Sequence, residues 1–332
     1  SDSLPSDTLQ PASPSSTEPS RLMAWAQLVR LPNVFTVIAD VSAAFLLISQ
    51  GPQPINRLIV IVLAGIALYW AGMILNDVFD VERDRQLRPG RPIPAGQIAI
   101  GQARTAGWSL LLVGVALAAV TGHLPSDNTP ATWLPAALGV LLALVIVLYD
   151  GPLKRTPLAP VAMGGCRALS FLLGASACLP IVAGTPLFPK YIAAIAVGFG
   201  VYVMGITTMA RHEASGGPSP NLHLGLVVTG LGAVMLAVAP QMAANQAGWH
   251  VSTKDMFPLM IGMISLPVIV RGFRAVRDPS PVKIQTAIRV GILTIIPLAA
   301  SFAFLGAGPT WGITIFLLTV PTLYLAIRFR VT

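Results

Sequence analysis

"WAGMILNDVFDVERDRQLRPGRPIPAG", residues 70–96, joins an apolar run to a dense group of charges. The run reaches back to Arg57 and ends at Asn76. It then meets Asp77, Asp80, Glu82 and Asp84, interleaved with and followed by Arg83, Arg85, Arg88 and Arg91. Roughly 20 apolar residues suffice to cross the hydrocarbon core of a bilayer. The stretch therefore reads as the place where a transmembrane helix emerges from lipid. Within lipid only helices and closed barrels satisfy every backbone group, and a continuous apolar run selects a helix over a barrel strand.

The rest of the 332-residue chain repeats the pattern. It is 54% hydrophobic and only 10% charged, with a mean hydropathy of +0.74. Soluble domains carry about a quarter charged residues, so the composition implies one polytopic all-α membrane domain over residues 21–332. Ten spans are predicted, near 33–49, 57–76, 104–122, 132–149, 161–184, 191–210, 222–243, 256–270, 286–305 and 311–327. The Pro/Gly-rich seam 306–309 separates two full spans or bends one hairpin. Residues 1–20 are Ser/Pro-rich without apolar periodicity, and read as a disordered tail rather than a signal peptide. The basic segment that follows, RLMAWAQLVRLPN, predicts an amphipathic helix at the membrane surface.

A net charge of +8 in a soluble protein would raise the question of nucleic acid. Here the bases lie in loops between apolar runs, so topology and anionic ligands explain them and no nucleic-acid partner is expected. With both termini in the cytoplasm, seventeen of the 21 Lys and Arg fall on that side. Only Arg57, Lys190 and Lys254 fall on the other, and Arg167 lies inside a span. The positive-inside rule thus predicts a multi-pass protein of the bacterial inner-membrane type, its chemistry facing the cytoplasm. Cys166 and Cys178 share one apolar run and read as packing residues.

On a helix, at about 100° per residue, Asn76, Asp77, Asp80 and Asp84 share one face while Glu82 points away. Carboxylates gathered near hydrocarbon need a cation to compensate them. The oxygen donors suit Mg²⁺, which keeps waters and bridges to substrate phosphates. The arginines that follow suit bidentate phosphate contacts. Pro89, Pro92 and Pro94 stiffen the loop that carries Arg88 and Arg91. A solvated helix end laced with ion pairs is the plain alternative.

NDVFDVERD resembles the N-D-x-x-D-x-x-x-D motif of the UbiA-type membrane prenyltransferases. RPGRPIPAG is similar to the R-P-hydrophobic-P-x-G that follows it in that family. YDGPLKRTPLAP, from Tyr149, resembles the family's tyrosine and basic pair after the fourth span. The resemblance implies a bundle of nine to ten helices around a central cavity open to the cytoplasm. It also implies transfer of a prenyl group from a polyprenyl diphosphate to an acceptor, often aromatic. In that reading Asn76, Asp77, Asp80 and Asp84 hold Mg²⁺ and diphosphate, with the three aspartates catalytic. Arg88, Arg91, Lys154 and Arg155 hold the diphosphate, and Tyr149 lines the cavity.

After the sixth span the family's second aspartate motif is missing. Arg211, His212 and Glu213 stand in its place. Glu213 is the one acid there that could ligate a second Mg²⁺, and Arg211 could replace that metal's charge on the phosphate. Together with MGGCRALSFLLG in the fifth span, this looks like the EboC-like branch of the superfamily. That branch implies the alternative of a degenerate protein that binds or transports a prenylated or secondary-metabolite intermediate.

Inside the spans, Asp40 is an intramembrane acid and so a functional candidate. Asn33, seven residues earlier, shares its helix face. The pair could line the cavity or be buried against a neighbouring helix. Arg167 is expected on the diphosphate; Asp150 could bind metal, but is expected to pair with Lys154 four residues on. Tyr69 and Trp70 could offer their rings to a cation, but are expected to pack. The bases at 271–289 could meet anionic lipid or simply set topology.

Overall fold

The computed structural model describes residues 21–126, 129–211 and 219–329. The tail at 1–20, His212 and Glu213 lie outside the described residues. The described residues form helices and no strand.

The predicted surface helix is α1 (Arg21–Leu28), which buries Ala24 and Leu28 and turns at Arg30 into α2 (Val34–Ser49). Next come α3 (Ile55–Phe79), α4 (Val81–Leu87), α5 (Ile100–His123) and α6 (Leu134–Leu148). The second half holds α7 (Ala159–Ser176), α8 (Lys190–Ala210), α9 (Pro220–Val238) and α10 (Met256–Arg277). The chain continues through α11 (Pro281–Leu293), α12 (Ile295–Ala307), α13 (Pro309–Phe316) and α14 (Thr319–Phe329). Two spans are thus broken in the middle. In each a proline, Pro297 or Pro321, sits a few residues past the break, where its ring cannot accept the carbonyl four residues back. The seam at 306–309 separates two spans, since Gly308 alone, at φ 88°, joins α12 to α13.

Among the described residues, nine segments are long and apolar enough to cross a membrane. They match the predicted spans except the fifth. That helix, α7, is as long as a short crossing, but Arg167 interrupts its apolar run, and it is enclosed by α2, α6 and α8. The eighth span runs on past Pro267 to Arg277, further than predicted. A proline inside a membrane helix is tolerated where neighbours satisfy the freed backbone.

Lipid tails are as apolar as leucine, so packing rather than water exclusion holds such helices together. Phe171, Phe199, Phe257 and Phe302, from α7, α8, α10 and α12, meet at ring-centroid distances of 5.2–6.3 Å. Where backbones come closest, only glycine fits. A Cβ on Gly174 of α7 would lie 2.1 Å from the Val41 carbonyl oxygen of α2.

A smaller apolar cluster positions the charged stretch. Ala24 and Leu28 of α1 pack with Ile74, Val78, Val81, Ile93, Ile98 and Ala103. Ile93 and Ile98 pin the loop that follows α4 down onto α3. Backbone bonds from Gln97 and Ile98 to the Pro92 carbonyl close that loop into a tight turn.

Candidate active site

The acidic stretch is not one straight helix. α3 ends at Phe79 and α4 begins at Val81, with Asp80 between them at φ −91°, ψ 3°. The break is shallow, because Asp80 N–H still donates to the Asn76 carbonyl and Asp84 N–H to that of Asp80. The expected face therefore survives. Asn76, Asp77 and Asp84 are buried, the last two at 6% and 4% exposure. Glu82 points to solvent and pairs with Arg85 at 2.6 Å.

Three basic residues converge on this face. Arg91 Nη1 bridges two acids, 3.1 Å from Asp77 Oδ1 and 2.6 Å from Asp84 Oδ2. Lys154 Nζ donates to Asp80 and, at 2.5 Å, to the Asn76 amide oxygen. Arg30, in the left-handed region at φ 47°, brings its guanidinium to 3.7 Å from Asp77 Oδ1. The four expected metal ligands are therefore divided between two cationic groups. Among the described residues no three acidic, histidine or cysteine side chains converge on one point. Carboxylates this close repel, and the neighbouring bases compensate their charge. In chemical kind the donors fit Mg²⁺: three carboxylates and an amide oxygen, all hard ligands, at a largely buried site.

Behind this cluster lies a chamber between α3, α6 and α7, with about 660 Å³ of empty space, part of it open to solvent. Val37, Leu68, Leu142 and Ile146 make its inner wall apolar. Its polar lining comes from Tyr69, Tyr149, Asp150, Cys166, Arg167 and Ser170. Gly72 and Met73 also line it, one turn before Asn76, and Asp150 lines it four residues before Lys154. On both elements, then, the chamber opens directly beneath the charged cluster.

A π turn, Tyr149–Leu153, shapes this junction. Pro152 lies inside it, lacks an N–H and crowds the carbonyl four residues back, so the helix widens. Lys154 emerges after the turn and reaches α3 rather than Asp150. The expected Asp150–Lys154 pair is thus absent. Asp150 is 4% exposed, and its Oδ2 has no hydrogen-bond partner among the described residues.

Other expected residues fall elsewhere. Asp40 is fully buried and pairs with Arg167, whose Nη1 lies 2.5 Å from Asp40 Oδ2. Ser170 donates to the other carboxylate oxygen at 3.2 Å, and Arg167 also donates to the Thr36 hydroxyl at 3.1 Å. Arg167 reaches the chamber wall, but its charge is matched by Asp40 rather than left for a phosphate. Asp40 and Asn33 do not line the chamber, and the Asn33 carbonyl accepts from the Thr36 hydroxyl. A buried arginine draws the nearest carboxylate, which ranks above cavity lining for Asp40. Tyr149 lines the chamber as expected, and Tyr69 does so where packing was expected. Arg88 and Arg155 are exposed and make no ion pair among the described residues. Arg211 donates to the Thr156 carbonyl at 3.2 Å, on the loop that carries Lys154, and does not reach Asp80. Arg30 joins the site without having been expected there, and Asp150 joins the chamber wall instead of pairing with Lys154. Arg30 was hidden because it reads as an ordinary loop charge, and the chamber position of Asp150 because a lysine stood at the ion-pair spacing.

The family model of the UbiA prenyltransferase family matches residues 37–270, which include the acidic cluster, Lys154 and the chamber. The chain belongs to the UbiA prenyltransferase family. As a UbiA protein with nine apolar spans among the described residues, it is an integral, multi-pass membrane protein. It is similar to the digeranylgeranylglyceryl phosphate synthase of Methanoculleus marisnigri, 34% identical over 141 residues, 42% of this chain and 46% of that protein. The enzyme of that name from Methanobrevibacter smithii is 32% identical over 152 residues, 45% of this chain and 50% of that one. The chain spans about half the length of the curated relatives it matches. Its fold is similar to that of a UbiA homolog from Aeropyrum pernix, with TM-score 0.63, 18% identity, and 81% and 96% of the two chains covered. It is also similar to a UbiA homolog from Archaeoglobus fulgidus bound to GPP and Mg²⁺, with TM-score 0.59, 13% identity, and 88% and 99% covered.

Proposed function

We propose that this UbiA protein transfers a prenyl group from a polyprenyl diphosphate to an acceptor held in the chamber. One observation carries the reading. Asn76, Asp77, Asp80 and Asp84 meet Arg30, Arg91 and Lys154 at the mouth of a mostly apolar chamber. The charged mouth suits a diphosphate and the apolar wall suits its prenyl tail. Membership of the UbiA prenyltransferase family, relatives named digeranylgeranylglyceryl phosphate synthase, and a UbiA homolog bound to GPP and Mg²⁺ support the same assignment.

In this reading Asn76, Asp77, Asp80 and Asp84 hold Mg²⁺, which when bound neutralises the diphosphate and eases its departure. Arg91 and Lys154 exchange their present carboxylate partners for phosphate oxygens, with Arg91 suited to a two-pronged contact. The walls keep water from the reactive carbon once the diphosphate leaves. Tyr69 and Tyr149 offer their rings to the positive charge that develops there. The positive-inside bias supports a cytoplasmic mouth with both termini on that side. An aromatic acceptor rests on family resemblance alone, whereas the matched relatives are named for a glyceryl phosphate product.

A binding or carrying role is the second reading. It is favoured by the fact that Arg30, Arg91 and Lys154 already match the charges of Asp77, Asp80 and Asp84. One assay separates the two. Purified protein is incubated with geranylgeranyl diphosphate and Mg²⁺, and diphosphate release is followed with and without acceptors. Release that disappears in Asp77→Ala and Asp80→Ala supports transfer. Binding without release under every condition supports the carrier.

A further inference from the structure

Asp150 is a buried carboxylate that the proposed diphosphate site does not use. It lies on the π turn, lines the chamber, and its Oδ2 has no hydrogen-bond partner among the described residues. The two cations nearest it in sequence or on the chamber wall are engaged elsewhere. Lys154 is held by Asp80 and Asn76, and Arg167 by Asp40 and Thr36. Buried polar atoms are otherwise almost always bonded, and one left open at a cavity wall points to a ligand donor. Asp150 also stands at the junction of the chamber's two parts. Lys154, one turn further along, holds the charged mouth, while Ile146, one turn back, belongs to the apolar wall. An acceptor sitting between diphosphate and prenyl pocket would meet this oxygen.

We infer that Asp150 is the catalytic base for an acceptor that attacks through a hydroxyl. The inference rests on the transfer reading and adds the class of acceptor to it. The C1–O bond of the prenyl diphosphate breaks, and its electron pair leaves on the diphosphate. The acceptor oxygen bonds to C1, and the proton it loses passes to Asp150 Oδ2. Release of the ether product lets that proton go to water, which restores the carboxylate. A neutral hydroxyl supplies the donor that Asp150 Oδ2 lacks among the described residues, and a general base positioned in this way contributes about 100-fold or more.

The test uses the full chain in lipid nanodiscs with Mg²⁺ and geranylgeranyl diphosphate labelled with ¹⁸O at the bridging oxygen. Geranylgeranylglyceryl phosphate is the hydroxyl acceptor and 4-hydroxybenzoate the ring acceptor. If neither is taken, water is the hydroxyl acceptor and geranylgeraniol is measured. Two readouts are followed: product formed, and migration of label from the bridging to non-bridging positions, which reports C1–O cleavage alone. Asp150→Asn should lower ether or alcohol product about 100-fold, with label migration close to wild type. Asp150→Glu should recover part of the product. Affinity for geranylgeranyl thiodiphosphate with Mg²⁺, measured by calorimetry, should match wild type in both variants and certify folding. Unchanged product in Asp150→Asn overturns the assignment. So does a parallel loss of label migration or of analogue binding, which would place Asp150 in the diphosphate site, and so does prenylation confined to the ring. Wild-type protein that shows neither label migration nor product overturns the transfer reading itself, and this inference with it.

Discussion

Arg167 on α7 and Asp40 on α2 form an ion pair 2.5 Å long at the wall of the chamber, where Asp40 has no exposure at all. Removing one member of a buried pair strands the other, at a cost of about 3–5 kcal/mol. Asp40→Leu and Arg167→Met should each destabilise the protein by that order. The double variant should recover most of the loss, because two apolar groups leave no stranded charge. Thermal unfolding of the three variants in detergent measures the coupling. Additive losses would contradict the pairing.

Lys154 and Arg155 are neighbours with different surroundings. Lys154 donates to Asp80 and Asn76, whereas Arg155 is exposed without an ion pair among the described residues. Lys154→Met should therefore weaken prenyl diphosphate binding by about tenfold or more, as expected for loss of a charge-assisted contact. Arg155→Met and Arg88→Met should stay within about threefold, as exposed charges usually do. Equal losses for all three would show that the loop closes around the ligand.

Arg57 acts away from the site. At 1% exposure it donates to the carbonyls of Leu124, Thr129, Pro130 and Ala177 and ties three segments together at one end of the bundle. Arg57→Leu should cost about 3 kcal/mol or more, since several charge-assisted bonds vanish and leave buried carbonyls unpaired. Arg57→Lys should not rescue it, because one ammonium cannot span the same carbonyls as a planar guanidinium. The proposed prenyl transfer should be little changed in any protein that still folds.

Gly174 allows α7 to touch the α2 backbone at Val41. Gly174→Ala forces the helices apart and should destabilise by about 1–3 kcal/mol. A loss that spreads to the neighbouring Arg167–Asp40 pair would appear as reduced coupling in the double-variant cycle.

Most of the fold was legible because hydropathy reports helix length directly. The Asn76–Asp84 face was legible because helical spacing alone sets it, and it survived a shallow break at Asp80. α7 was harder, since Arg167 lowers its apolarity while Asp40, 127 residues earlier, compensates the charge. No local pattern reveals that pairing. Arg57 was legible as a charge at the start of a span, but its partners, distant backbone carbonyls, were not. For Lys154 the i, i+4 spacing favoured Asp150, but the widened turn at Pro152 broke the helical geometry on which that spacing depends.

The central claim is that the Asn76–Asp84 cluster and its bases hold a metal-bound diphosphate at the chamber mouth. Calorimetric titration of the purified protein with geranylgeranyl thiodiphosphate, with Mg²⁺ and then with EDTA, tests it most directly. Binding should require Mg²⁺ and should fall by about tenfold or more in Asp77→Asn and Asp80→Asn. Equal affinity with EDTA, or full affinity in both variants, would contradict it.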